Sequence, residues 1–132
     1  MLQANELRKF NLVEFKNKIA TIECIYRESL IIIQNENEEF IDYGMVYPIK
    51  LTDKVILRIK NSFVAAVNNS KICITAPHGF EFHFDKYGED YVLSVYCNTG
   101  CFVPQKCSHL HEFQNLWFSL CGEELIFFST EP

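Results

Sequence analysis

Residues 96–113, YCNTGCFVPQKCSHLHEF, place Cys97, Cys101, Cys107, His109 and His111 within one short stretch. Thiolates and imidazoles are the ligands of zinc, and a structural site takes four of them at tetrahedral geometry. Cys97 and Cys101 make a C-x3-C knuckle around the turn residues NTG, and Cys107 and His109 could complete a set. Cys121 lies too far along the following helix to join them. The spacing is looser than that of two C-x2-C pairs, and the same residues also read as a strand end, a loop thiol and the first turn of a helix. The expectation is therefore no cofactor, with zinc on Cys97, Cys101, Cys107 and His109 as the alternative. Thiol catalysis would instead use Cys107 ahead of the helix with His109 or His111 as base. No orienting Asn or Asp and no glycine-bearing nucleophile motif accompanies Cys107, so no catalytic residue is assigned.

Carboxylates offer a different chemistry. The pairs Glu38 with Glu39, Glu89 with Asp90 and Glu123 with Glu124 fall in turns or at a helix end, where solvated charge is the ordinary state. Acid–base catalysis would need two carboxyls facing each other in one pocket. The stretch ENEEFID, with Glu36, Glu38, Glu39 and Asp42, is better read as an acidic patch. A second acidic face is expected from FEFHFDK, whose alternation turns Phe80, Phe82 and Phe84 one way and Glu81, His83 and Asp85 the other. With a net charge of −5, the chain is poorly suited to holding phosphates and better suited to a basic protein partner.

These residues must be positioned by a packed fold. The chain of 132 residues is 48% hydrophobic, contains few glycines and prolines, and carries no linker or repeat, so residues 1–132 are expected to form one domain. The pattern predicts an α+β fold, in which a small, curled, SH3-like antiparallel sheet with hairpins carries one middle helix and one C-terminal helix. Short strands run through the first half, with turns at Asn17 and Lys18 and a polar loop at residues 35–39. Thr52 or Asp53 caps a middle helix marked by Val55, Ile56 and Ile59. Hairpins turn at Asn68 with Asn69 and at residues 87–90. The last helix is capped by Ser108, presents Leu110, Phe113, Leu116, Trp117 and Leu120 as its apolar stripe, and stops at Gly122. ELIFFS then reads as a closing strand. No apolar run has signal-peptide or membrane-span length, so a cytosolic location with free thiols is expected.

Three stretches carry a resemblance. HEFQNLWFSLCGEEL (residues 111–125) resembles an H-x-L-Q-N-L-[YW]-F-x-L-[TS]-G-x-E-L ending found in small proteins of Bacteroidota phages and prophages. His111, Gln114, Asn115, Leu116, Trp117, Phe118, Leu120, Gly122, Glu124 and Leu125 match, while Phe113 and Cys121 depart from it. NELRKFNLVEF is similar to an E-L-R-x-x-N-L-V opening and YPIKLTD to a P-I-x-L-T-[ED] step. Together they cover about a third of the chain, and the cysteines at 97, 101 and 107 fall outside them. The resemblance implies a non-enzymatic protein that binds and inhibits a host-defence protein. The expected target is a CRISPR effector with a basic nucleic-acid channel, of the RNA-guided, RNA-cutting (type VI) class, met by Glu36, Glu38, Glu39, Asp42, Glu81, His83 and Asp85. The alternatives are an RNA- or DNA-binding module, with Tyr87, Tyr91 and Tyr96 beside Lys71 and Lys86, or a structural phage protein.

Overall fold

The computed structural model describes residues 7–127, apart from the side chains of residues 65, 66, 102 and 103. Among them the fold is α+β, built from antiparallel strands and two helices, one of them C-terminal. The strands divide into two five-stranded sheets where one curled sheet was expected. The chain correspondingly separates into two compact units. One holds the residues up to Lys50 with His109–Leu116, and the other holds Leu51–Ser108 with the residues from Trp117 onward. Each unit draws on two separated parts of the sequence, so no linker or change of composition marks it. None of the helices formed by the described residues is long and apolar enough to cross a membrane.

In the first unit β1 (Leu12–Phe15), β2 (Lys18–Ile25), β3 (Ser29–Gln34), β4 (Asn37–Asp42) and β5 (Val46–Pro48) lie in the order β4-β3-β2-β1-β5. The β1–β2 hairpin turns on Lys16 and Asn17, one residue earlier than expected, and the β3–β4 hairpin turns on Asn35 and Glu36. All four have positive φ, the left-handed geometry whose twist matches that of the flanking strands. Alternation then puts Val13 opposite Ala20, Ile22 opposite Ile32, and Leu30 opposite Ile41, and all six are buried.

The first turns of α2 (Leu110–Cys121) belong to this unit as far as Leu116. The helix begins at Leu110, so His109 and not Ser108 precedes it. The Glu112 side chain reaches back to accept from the His109 N–H at 2.9 Å, which is the return half of a capping box. Two buried amides then join helix to sheet. The Asn11 Nδ2 donates to Asn115 Oδ1 at 2.8 Å, and Asn11 Oδ1 accepts from the Arg8 N–H at 2.7 Å. Gln114 Oε1 accepts the Leu12 N–H at 2.8 Å while its Nε2 donates to the Phe10 carbonyl at 3.3 Å. Arg8 Nε adds a bond to Asn115 Oδ1 at 3.1 Å. The Leu110 N–H donates to the Ile49 carbonyl, and Lys50 pairs with His109. Residues 8–15, 46–50 and 109–115 of this unit thus supply one another's hydrogen-bond partners.

The second unit carries β6 (Phe63–Val67), β7 (Lys71–Thr75), β8 (Glu81–Tyr87), β9 (Asp90–Cys97) and β10 (Gly100–Cys107) as a meander in the order β10-β9-β8-β7-β6. Its hairpins turn at Asn68 and at Gly88 with Glu89, as the turn residues indicate. Ile72, Ile74, Phe82, Phe84, Leu93 and Val95 fill the buried face, and Trp117 stacks on Phe82 with ring centroids 5.5 Å apart. Phe80 precedes β8 and is only half-buried. The middle helix α1 is one turn, Asp53–Ile56, with the Thr52 hydroxyl accepting from the Val55 N–H. It stops early because Ile59 leaves to pair with Phe127 and the Lys60 N–H donates to the Ile126 carbonyl. Of the expected closing strand, Glu124, Leu125 and Ile126 are not strand, Phe127 makes this single bridge, and residues 128 and 129 lie outside the described residues. Gly122 ends α2 at φ +73 and donates to the Phe118 carbonyl, the left-handed cap a glycine adopts without strain.

Replacing Asn11 by Ala strips Asn115 and the Arg8 amide of a buried partner. Urea denaturation should show a loss of about 1–3 kcal/mol, whereas an exposed change such as Asn37→Ala should stay within about 0.5 kcal/mol.

Candidate functional site

The acidic stretch of the first unit is not a loop. Only Asn35 and Glu36 form the turn, and Glu38, Glu39 and Asp42 lie on β4, which among the described residues is an edge strand bonded to β3 alone. A polar run of this composition reads as loop by propensity, and a well-formed hairpin turn overrides it. Glu38, Phe40 and Asp42 alternate onto one face, opposite Ile33, Ile31 and Ser29. Phe40 is 67% exposed, and its ring tilts against the ring of Tyr26 with centroids 5.7 Å apart. A hydrogen bond with the Cys24 side chain pushes the Tyr26 phenol upward. β4 therefore presents an exposed aromatic ring between two carboxylates. Ring faces and carboxylates both attract ammonium and guanidinium groups.

The other expected acidic face lies in the second unit and is less open. Glu81 is exposed, but His83 and Asp85 are half-buried. His83 stands opposite Cys73 in the β7–β8 register, with its Nδ1 3.3 Å from Cys73 Sγ and its ring centroid 4.5 Å from that of Tyr96. Burial pushes the Cys73 thiol up. Burial and then Lys71 push His83 down, against Glu81 and Asp85. Both groups are neutral near pH 7, whereas nucleophilic thiol catalysis uses the thiolate.

The cysteine stretch is a hairpin, not a loop. Cys97 pairs with Gly100, Cys101 with Tyr96, and Cys107 with Tyr91. Cys101 and Cys107 are six positions apart on one strand, about 20 Å at strand rise, too far to share an ion. Among the described residues no three His, Cys, Asp or Glu side chains gather around a common point. Cys97 is held by the Thr99 hydroxyl at 3.2 Å, and that bond, followed by backbone N–H groups, pushes its thiol down. Cys107 is buried, and the His109 Nδ1 lies 3.1 Å from Glu112 Oε1.

The proposed stacking surface for bases is partly consumed within the fold. Tyr91 is 5% exposed and donates its hydroxyl to the Asp53 carboxylate, to which Lys86 Nζ also donates at 2.6 Å. Tyr87 and Tyr96 are exposed. Burial raises the Asp53 carboxyl, but the hydrogen bonds from Lys86 and Tyr91 outweigh it and leave Asp53 below the usual carboxylate range. Burial and the Asp53 hydrogen bond push the Tyr91 phenol well up.

Comparison with protein-family models, curated proteins and solved structures finds no match for this chain. The residues that carry the phage-type resemblance can still be placed. Arg8, Asn11, Gln114 and Asn115 form the buried amide network, and Trp117 packs in a core. Sequence reasoning missed the Cys73–His83 contact and the Asp53 cluster. The first had a usable signal, because Cys73 and His83 are equidistant from His78 at the centre of the β7–β8 connection. The second brings residues from three separate elements together and had none.

Asp53→Asn should lower stability by about 1–2 kcal/mol at neutral pH. Because the folded carboxyl is depressed, its contribution is present above the unfolded pKa and is lost as pH falls through the folded one. Wild-type and variant stabilities, measured by chemical denaturation across pH, should therefore converge in acid.

Proposed function

We propose that this chain is a non-enzymatic binding protein that engages a basic partner through the edge strand β4. The observation carrying this reading is the exposed Phe40 set between Glu38 and Asp42 on a strand whose second edge is unpaired among the described residues. Glu36 and Glu39 add charge of the same sign, and the stretch of residues 35–42 holds no Lys or Arg. An unpaired edge offers main-chain donors and acceptors, and flanking carboxylates select a cationic segment over a neutral one. Following the phage-type resemblance, the partner is a host-defence protein, specifically an RNA-guided, RNA-cutting CRISPR effector. Its channel must be positive to hold RNA, so an acidic strand placed there would exclude RNA by occupying its site. The setting for this encounter is the host cytosol.

Direct nucleic-acid binding is the weaker reading. Tyr91 and Lys86 are committed to Asp53, and the net charge of −5 opposes phosphate.

The test is target-RNA cleavage by a purified type VI effector with the protein added at increasing salt. Inhibition should appear at low salt, weaken as salt rises, and fall at least tenfold in potency for the triple variant Glu38→Lys, Glu39→Lys, Asp42→Lys. Unchanged inhibition by the folded triple variant would remove β4 from the mechanism, and no inhibition by wild type would remove this partner.

A further inference from the structure

We propose that Cys73 and His83 form an open binding site for a thiophilic divalent cation of the zinc class, independent of recognition by β4. The two residues face each other directly across β7 and β8, on the side of the sheet opposite Ile72, Ile74, Phe82 and Phe84. Their ligating atoms, Cys73 Sγ and His83 Nδ1, are 3.3 Å apart. An ion bound to sulfur at about 2.3 Å and to nitrogen at about 2.0–2.1 Å with tetrahedral angles sets those atoms roughly 3.5 Å apart. The shared contact therefore already approximates one edge of the coordination sphere, and an ion could enter with a shift of a few tenths of an ångström.

Three further features favour a cation there. The Tyr96 ring lies 4.5 Å from the imidazole and limits its rotation. Burial keeps His83 in the neutral form that binds metals. Glu81 and Asp85 flank His83 on the same face of β8 and Lys71 stands opposite Asp85 on β7, so this face of the β7–β8 pair sets one cation against two carboxylates. Binding exchanges a proton for the ion. The Cys73 S–H bond breaks, the thiolate and the imidazole nitrogen coordinate the metal, and one proton leaves to solvent without any change of oxidation state. Two protein ligands, where closed structural sites use four, leave positions for water, so the ion would exchange readily.

The experiment is titration of the reduced protein with cobalt(II) chloride, read by thiolate-to-cobalt charge-transfer absorption, in parallel with a zinc chloride thermal-shift series. Cys24 and Cys97 are half-buried and Cys101 is exposed, so the background is the Cys24→Ser, Cys97→Ser, Cys101→Ser triple variant. In that background the absorption should saturate at one equivalent, and zinc should raise the melting midpoint. Adding Cys73→Ser or His83→Gln should abolish both signals while leaving the metal-free melt cooperative. Absorption that survives either change, or none in the background protein, would overturn the proposal. If His83→Gln fails to fold, Cys73→Ser alone decides.

Discussion

The first unit depends on burying side-chain amides that have no access to water. Asn11 and Gln114 are almost fully enclosed, and each holds both a donor and an acceptor bond in place. An enclosed amide without partners costs about 1–3 kcal/mol, so only one placement of the helix on β1 satisfies both. Apolar contact alone tolerates sliding, but these bonds fix register. They tie the Phe10 carbonyl and the Leu12 amide to the helix, and Phe10 adopts a positive φ at that point. The ladder continues into β2 through Ile22, whose N–H donates to the Asn11 carbonyl and whose carbonyl accepts from the Phe10 N–H.

This constraint separates scaffold from surface. The residues shared with the phage-type pattern are those that close the amide network, cap α1 and fill cores. The acidic residues of β4 lie outside those stretches. Under the binding role proposed for β4, its carboxylates act in two ways at once. They discourage the edge from pairing with neutral strands of other copies, and they favour a basic strand. The edge strand β6 of the second sheet contrasts with it, exposing Phe63, Val64 and Val67 without acidic residues.

Local pattern was legible where one force dominated. The alternation of residues 81–85 yields the buried Phe82 and Phe84, and the helical stripe yields the buried Leu110, Phe113 and Trp117. Turn residues located the hairpins at Asn68 and Gly88, and Gly122 located the end of α2. Competition between forces hid the rest. Val55, Ile56 and Ile59 carry helical spacing, but pairing of Ile59 with Phe127 truncates the helix. The polar run at residues 35–39 looked like loop, yet its left-handed turn starts a strand. Cysteines close in sequence were drawn apart along β10, while Cys73 and His83, ten residues apart, were brought into contact by register. Every strand pairing except that of β1 with β5 joins neighbours in sequence, and no single stretch marks where the first sheet ends and the second begins.

Amide hydrogen exchange at Leu12 tests the claim that the Asn11–Gln114–Asn115 network holds the first unit most directly. The Leu12 N–H, bonded to Gln114 Oε1 at 2.8 Å, should exchange only through the largest opening of its unit. Gln114→Ala should then speed it by at least tenfold and leave amides of β8 and β9 unchanged. Fast exchange at Leu12 in the wild-type protein, or a rate unmoved by Gln114→Ala, would contradict it.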